Sequence, residues 1–187
     1  MEIPESLLNA IKTLKHPAIV AVSGLGGSGK SSLAKKLGEL LDAPVVGVDS
    51  FQKKGAFDTD FSLWEIMDYL RLEREVLAPF LKGENASYGH FDASQESISH
   101  TVEIANVGLL IVEGVGLFRP ELLKHFSYKV WVETPMEVAI ARGKRRDREE
   151  YGNPTDEQWE GVWKKNDLEY LETFKPQEMA DFVFQNR

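Results

Sequence analysis

The stretch Gly24-Leu25-Gly26-Gly27-Ser28-Gly29-Lys30-Ser31 has the residue types and spacing that most directly specify chemistry in this chain of 187 residues. It satisfies G-x-x-x-x-G-K-[ST], a phosphate-binding loop. Glycines at this spacing let the backbone close around an oxyanion, so that successive N–H groups point inward. Lys30 then reaches the β- and γ-phosphates, and the Ser31 hydroxyl is a ligand for Mg2+. The helix that begins here aims its positive dipole end at the same anion. The expected phosphate-binding set is Gly24, Gly26, Gly27, Ser28, Gly29, Lys30, Ser31 and Ser32.

Three further groups belong to the same chemistry. Leu109-Leu110-Ile111-Val112-Glu113-Gly114 is an apolar strand ending in a carboxylate, which is what orients a divalent cation or its water beside a triphosphate. Asp49 follows the short apolar run 44–48. In open α/β sheets the ligand crevice lies outside the carboxyl ends of the strands, so Asp49 is expected beside the phosphates. Arg142, Lys144, Arg145, Arg146 and Arg148 concentrate positive charge on one helix. They read either as a solvated face paired with Glu149 and Glu150, or as a lid that neutralises charge in phosphoryl transfer. The lid is the preferred reading.

These residues need a scaffold, and the flanking pattern supplies one. Residues 18–23 are apolar and rich in β-branched types, as a buried parallel strand requires. Leu33, Leu37, Leu40 and Leu41 make one face of the helix after the loop. Ile3, Leu7, Leu8, Ile11 and Leu14 form a helical face at the N-terminus, expected to dock on the core. Residues 52–61 read as a loop carrying Asp58 and Asp60. Residues 62–81 carry helical spacing at Leu63, Ile66, Met67, Leu70, Val76 and Leu77, broken near Pro79. A polar stretch over 83–99 suits a small hairpin or flap. Residues 128–132 are a further strand, and Thr134-Pro135-Met136-Glu137 has the residues of a capping box at a helix start. Residues 181–184 can supply a last strand.

Composition narrows the class. The formal charge is −8 with no dominant basic stripe, so nucleic acid is not the expected partner. There is no cysteine, hence no disulfide frame or thiolate chemistry, which suits a cytoplasmic setting. No signal-peptide pattern or long apolar run is present, and no membrane partner is expected. The four histidines lack metal-ligand spacing and read as surface or packing residues.

These residues resemble the uridine kinase and phosphoribulokinase family of phosphate-loop kinases over most of the chain. The resemblance runs through the loop itself, Val48-Asp49-Ser50-Phe51, Tyr88 with Phe91-Asp92, Ile111-Val112-Glu113-Gly114, Arg142 with Arg146-Asp147, and Lys175-Pro176 with Ala180-Asp181. It implies that Asp49 is the general base on the acceptor hydroxyl. It also implies that Phe91 and Asp92 bind substrate, and that Arg142 and Arg146 belong to the lid. Three departures stand out. Gln52 replaces a Tyr, Glu150-Tyr151-Gly152-Asn153 replaces an R-G-R, and Ser94-Gln95 stands near an expected His.

The expected architecture is α/β: a phosphate-loop three-layer sandwich, one domain over 1–187, with a mostly parallel sheet of about five strands and a helical lid near 135–158. The expected activity is transfer of the ATP γ-phosphoryl group to a hydroxyl of a small molecule, with a nucleoside (uridine or cytidine) as first choice. Lys30, Asp49, Arg142 and Arg146 are the expected catalytic set. Ser31 and Glu113 would hold Mg2+, and Asp49, Phe51, Phe91 and Asp92 would meet the acceptor. Phe51, Trp64 and Phe91 could stack on a base, and Asp58 and Asp60 disfavour a phosphorylated acceptor unless Lys53 and Lys54 offset them. The alternatives are a kinase for a sugar, pantothenate or a phosphosugar, and a non-catalytic nucleotide-binding regulator. A GTPase-type switch would carry N-K-x-D, and Lys164-Lys165-Asn166-Asp167 has the wrong order. Self-association into a homo-oligomer is left open.

Overall fold

The computed structural model describes residues 1–55 and 61–187, so Asp58 and Asp60 lie outside the described residues. Five strands form one sheet in the order β2-β5-β1-β6-β7, and every neighbouring pair is parallel. They are β1 (Ala18–Gly24), β2 (Val45–Gly47), β5 (Leu109–Gly114), β6 (Tyr128–Glu133) and β7 (Phe182–Gln185). β3 (Ala86–Asp92) and β4 (Ser97–Ile104) make a separate antiparallel hairpin. This is the α/β fold of phosphate-loop kinases.

β1 is buried along its whole length because helices cover both faces of the sheet. Val20 and Val22 point to one face, where Leu7 and Ile11 of α1 (Glu5–Lys12) and Leu33 and Leu37 of α2 (Lys30–Leu41) pack on them. Ile19 and Ala21 point to the other. That face is covered by the helical run over 69–81 and by α8 (Val162–Phe174), whose Tyr170 packs by Trp131. The alternation of a strand thus divides one apolar run between two cores.

The helix expected over 62–81 forms only over 69–81. α3 (Tyr69–Leu72), one wide turn (Glu73–Leu77) and α4 (Ala78–Leu81) are continuous, and the phase is set by Tyr69, Leu72, Val76 and Phe80. Leu70, expected inside, is 74% exposed. Pro79 does not end the helix. It has no N–H to give, and the wide turn before it moves the Ala78 N–H to Glu73 O. Residues 61–68 stay irregular because distant partners bind the backbone of Phe61, Leu63 and Trp64, as described below, and 66–68 pair with residues 51–53. Two smaller differences concern boundaries. Val48, expected in a strand, opens a 3-10 turn (Val48–Phe51). Thr134 is not a cap: α6 (Met136–Glu149) starts behind Pro135, and the Thr134 hydroxyl is held by tertiary partners.

Candidate active site

The carboxyl ends of β1, β2 and β5 lie side by side, with Gly47 opposite Glu113 and Ser23 opposite Gly114. From β1 the chain passes through the phosphate loop into α2. Gly27 and Gly29 have φ of +74° and +92°, values that L side chains adopt at a cost. At Gly27 there is no room either, since an added Cβ would stand 2.1 Å from the Ala139 carbonyl oxygen of α6. The loop is therefore pressed against α6. Lys30 folds back over it, with Nζ donating to Leu25 O at 3.4 Å.

Ser31 donates to Glu113 Oε2 at 3.1 Å, joining the first turn of α2 to the end of β5. Burial pushes the Glu113 carboxyl up to about 6, and Asp49 adds to this, while Lys30 and the Ser31 bond pull the other way. Asp49 itself is exposed in the turn after β2. The loop, Ser31, Glu113 and Asp49 are thus gathered at three adjacent strand ends. Among the described residues no cluster of three His, Cys, Asp or Glu side chains forms a metal cage. The oxygen pair of Ser31 and Glu113 is what a hard cation would find.

α6 presents two arginines one turn apart in different directions. Arg142 donates to Asn186 O at 3.2 Å, and Asn186 in turn donates to Ser28 O at 2.6 Å. Thr134 adds bonds to the same two carbonyls. Arg146 pairs with Asp147 at 2.8 Å and lies 5.3 Å from the Tyr151 ring centroid. Burial opposes charge on Asp147. Hydrogen bonds from Thr155, Trp159 and Arg146 outweigh it and hold the carboxyl below its usual range.

Beside Asp49, Ser50 meets His90 of β3 at 2.9 Å, and the His100 ring lies 4.9 Å from that of His90. Phe51 is fully buried, with Tyr88 against its ring and the Arg71 guanidinium 4.8 Å from its centroid. Phe91 is 8% exposed. Asp92 is at the hairpin end and accepts from Ser94 N and Oγ, which hold its carboxyl below the usual range. Trp64 is buried and bonded to α8. The structure therefore joins His90 to Ser50, the residue after Asp49, and keeps Phe51 and Trp64 inside. His90 follows no metal spacing and its partner is 40 residues away, so nothing in the sequence marked it.

No family model matches the chain. It is 26% identical over 188 residues to a uridine kinase of Limosilactobacillus reuteri, an alignment covering 89% of this chain and 78% of that one. A uridine kinase of Aliivibrio salmonicida is likewise 26% identical, over 86% of this chain and 78% of its own length. The fold matches a protein described as a possible uridine kinase from Bacillus stearothermophilus with a TM-score of 0.73, at 22% identity and 96% coverage of both chains. Over most of its length the chain is thus similar to uridine kinases, and its fold is that of a P-loop kinase. Among the described residues, no helix is long and apolar enough to cross a membrane.

Proposed function

We propose that the protein transfers the γ-phosphoryl group of ATP, taken up with Mg2+, to a hydroxyl of a small molecule, and that this acceptor is a nucleoside such as uridine or cytidine. The observation that carries the transfer reading is the 3.1 Å contact between Ser31 and Glu113, set at the end of a glycine loop with Asp49 on the neighbouring strand end. Two hard oxygen donors fit Mg2+, and the buried Ser28 hydroxyl of the same loop has no partner among the described residues. Bound there, the cation would neutralise charge on the phosphates.

The remaining roles fall to the chain's own residues. The loop amides and Lys30 hold the phosphates in line with the acceptor. Asp49, exposed and without an ion pair among the described residues, takes the proton as the acceptor oxygen bonds to phosphorus and the bond to the ADP oxygen breaks. Arg146 covers the transferred group and Arg142 the nucleotide near Asn186, as parts of a lid over 135–158 within one folding unit. Phe51 acts from below, by fixing the turn that carries Asp49. Phe91 and Asp92 border the acceptor on the hairpin.

The nucleoside reading is supported by relatives named uridine kinase that align over most of this chain. A different hydroxyl compound is favoured by the Ser50–His90 pair, which ties an imidazole to the turn that carries Asp49, where a ribose diol would welcome a second carboxylate. Incubation with Mg·ATP and a panel of nucleosides, sugars and other hydroxyl compounds, scored by ADP release, separates them. Release with uridine or cytidine upholds the nucleoside. Release only with another compound removes it and leaves the kinase chemistry.

A further inference from the structure

One buried acid lies on the phosphate loop without a place in that mechanism. Asp167 of α8 is 4% exposed, and its Oδ2 accepts from the Gly26 N–H at 3.0 Å. Its other oxygen accepts from the Trp64 indole N–H at 3.0 Å. A loop amide of the kind that cradles phosphate is thus occupied by a carboxylate of the same protein. Trp159 of α7 (Asp156–Glu160) closes the other approach, since a Cβ on Gly26 would lie 2.9 Å from its ring.

This carboxylate is not free to swing away. Asn166 accepts from Trp64 N–H at 2.7 Å and donates to Phe61 O at 3.0 Å. Glu169, one half-turn further, accepts from the Ser62 hydroxyl at 2.7 Å and from Leu63 N–H at 3.3 Å. Arg119 donates to Leu63 O at 2.8 Å. Leu63 and Trp64 hold φ of +51° and +59°, a left-handed pair kept in place by these bonds. α8 and the segment before α3 are one stitched unit, and Asp167 is fixed inside it.

We propose that Asp167 is an internal anion of the phosphate loop, which stays in place and must become the neutral acid for a nucleotide's phosphates to bind beside it. The inference rests on the loop being a nucleotide-phosphate site. An ionised Asp167 would repel the incoming phosphates across a low-dielectric gap, whereas the neutral acid can donate toward them. The proton comes from solvent, so nucleotide binding takes up a proton above the carboxyl's range. Burial pushes this carboxyl up to about 6, against the pull of Lys30 and the two N–H donors. The charged or titratable groups facing it are Lys30, from α2, and Tyr170, on its own helix. α7 presents only Trp159, whose indole N–H is taken by Asp147.

The test is Mg·ATP affinity by calorimetry in two buffers of different ionisation enthalpy, for wild type and Asp167→Asn, from about pH 5.5 to about pH 8. The ratio of wild-type to variant Kd should climb about tenfold per pH unit above the carboxyl's range, and only the wild type should gain that increment of proton uptake. A ratio constant with pH, with equal proton uptake, overturns the proposal. Should Asp167→Asn not fold, Trp64→Phe removes one donor to the ionised form and should move the wild-type pH midpoint upward. An unmoved midpoint overturns it as well. Absence of binding by the folded wild type at every pH would instead overturn the phosphate-site reading, and this inference with it.

Discussion

The phosphate side of the site is made by neighbours in sequence, while the acceptor side is made by residues that the fold gathers from far apart. Eight consecutive residues form the loop, and Glu113 reaches it from the strand paired beside β1. Around Asp49, by contrast, the contacts join Ser50 to His90, Arg71 to Ser50 and Trp64 to α8. A local motif fixes the chemistry of transfer. In the proposed transfer, the choice of acceptor would be set by this long-range packing rather than by the loop.

Mutations should separate the two sides. The largest effect is expected for Asp49→Asn, which keeps shape but cannot take the proton. Loss of a general base costs ~10²–10⁴-fold in rate, and Mg·ATP affinity should change little. A near wild-type rate would move the base elsewhere. Lys30→Ala removes a preorganised cation and should lower kcat by ~10²–10³-fold, with weaker ATP binding. Steady-state kinetics with the nucleotide varied reads both effects. Arg146→Ala should lower kcat by about tenfold, a barrier change of about 1.4 kcal/mol, with the ATP KM less affected. A change confined to thermal stability would return α6 to a solvated face. On the acceptor side, His90→Ala removes one hydrogen bond of about 0.5–1.5 kcal/mol, and so should raise the acceptor KM about two- to tenfold while sparing that of ATP.

The smallest effect concerns stability and ties the two sides together. Asp167 sits on the loop but belongs to the acceptor-side unit. Its folded pKa of about 6 exceeds the ordinary 3.8, so the contribution it makes to stability is present below the lower value and lost as pH rises through the higher one. The Tm of Asp167→Asn should therefore gain on that of wild type as pH rises through this window, then run parallel to it. Equal slopes throughout would mean that Asp167 titrates normally.

What the sequence made legible follows the same division. The loop, the strand before it and the helix after it are local patterns, and Glu113 announces itself as a carboxylate closing an apolar run. The segment 61–68 misled because Leu63, Ile66 and Met67 have helical spacing. The backbone of Leu63 and Trp64 is claimed instead by Glu169, Arg119 and Asn166, more than 50 residues away, while Ile66 and Met67 pair with Lys53 and Gln52. Thr134 and Glu137 have the right types for a capping box, yet the Thr134 hydroxyl is better used between Ser28 and Asn186. Asp167 stood in a string that failed as a guanine-reading motif, and its bond to Gly26 spans 141 residues. No spacing rule reaches that far.

The central claim is transfer to a hydroxyl rather than to water, and following the label from γ-labelled Mg·ATP tests it most directly. With acceptor present, the label should appear in a phosphomonoester of that compound, in step with ADP, and Asp49→Asn should slow both by the same large factor. Label found only as inorganic phosphate, released at a rate indifferent to every acceptor tried, would contradict the account.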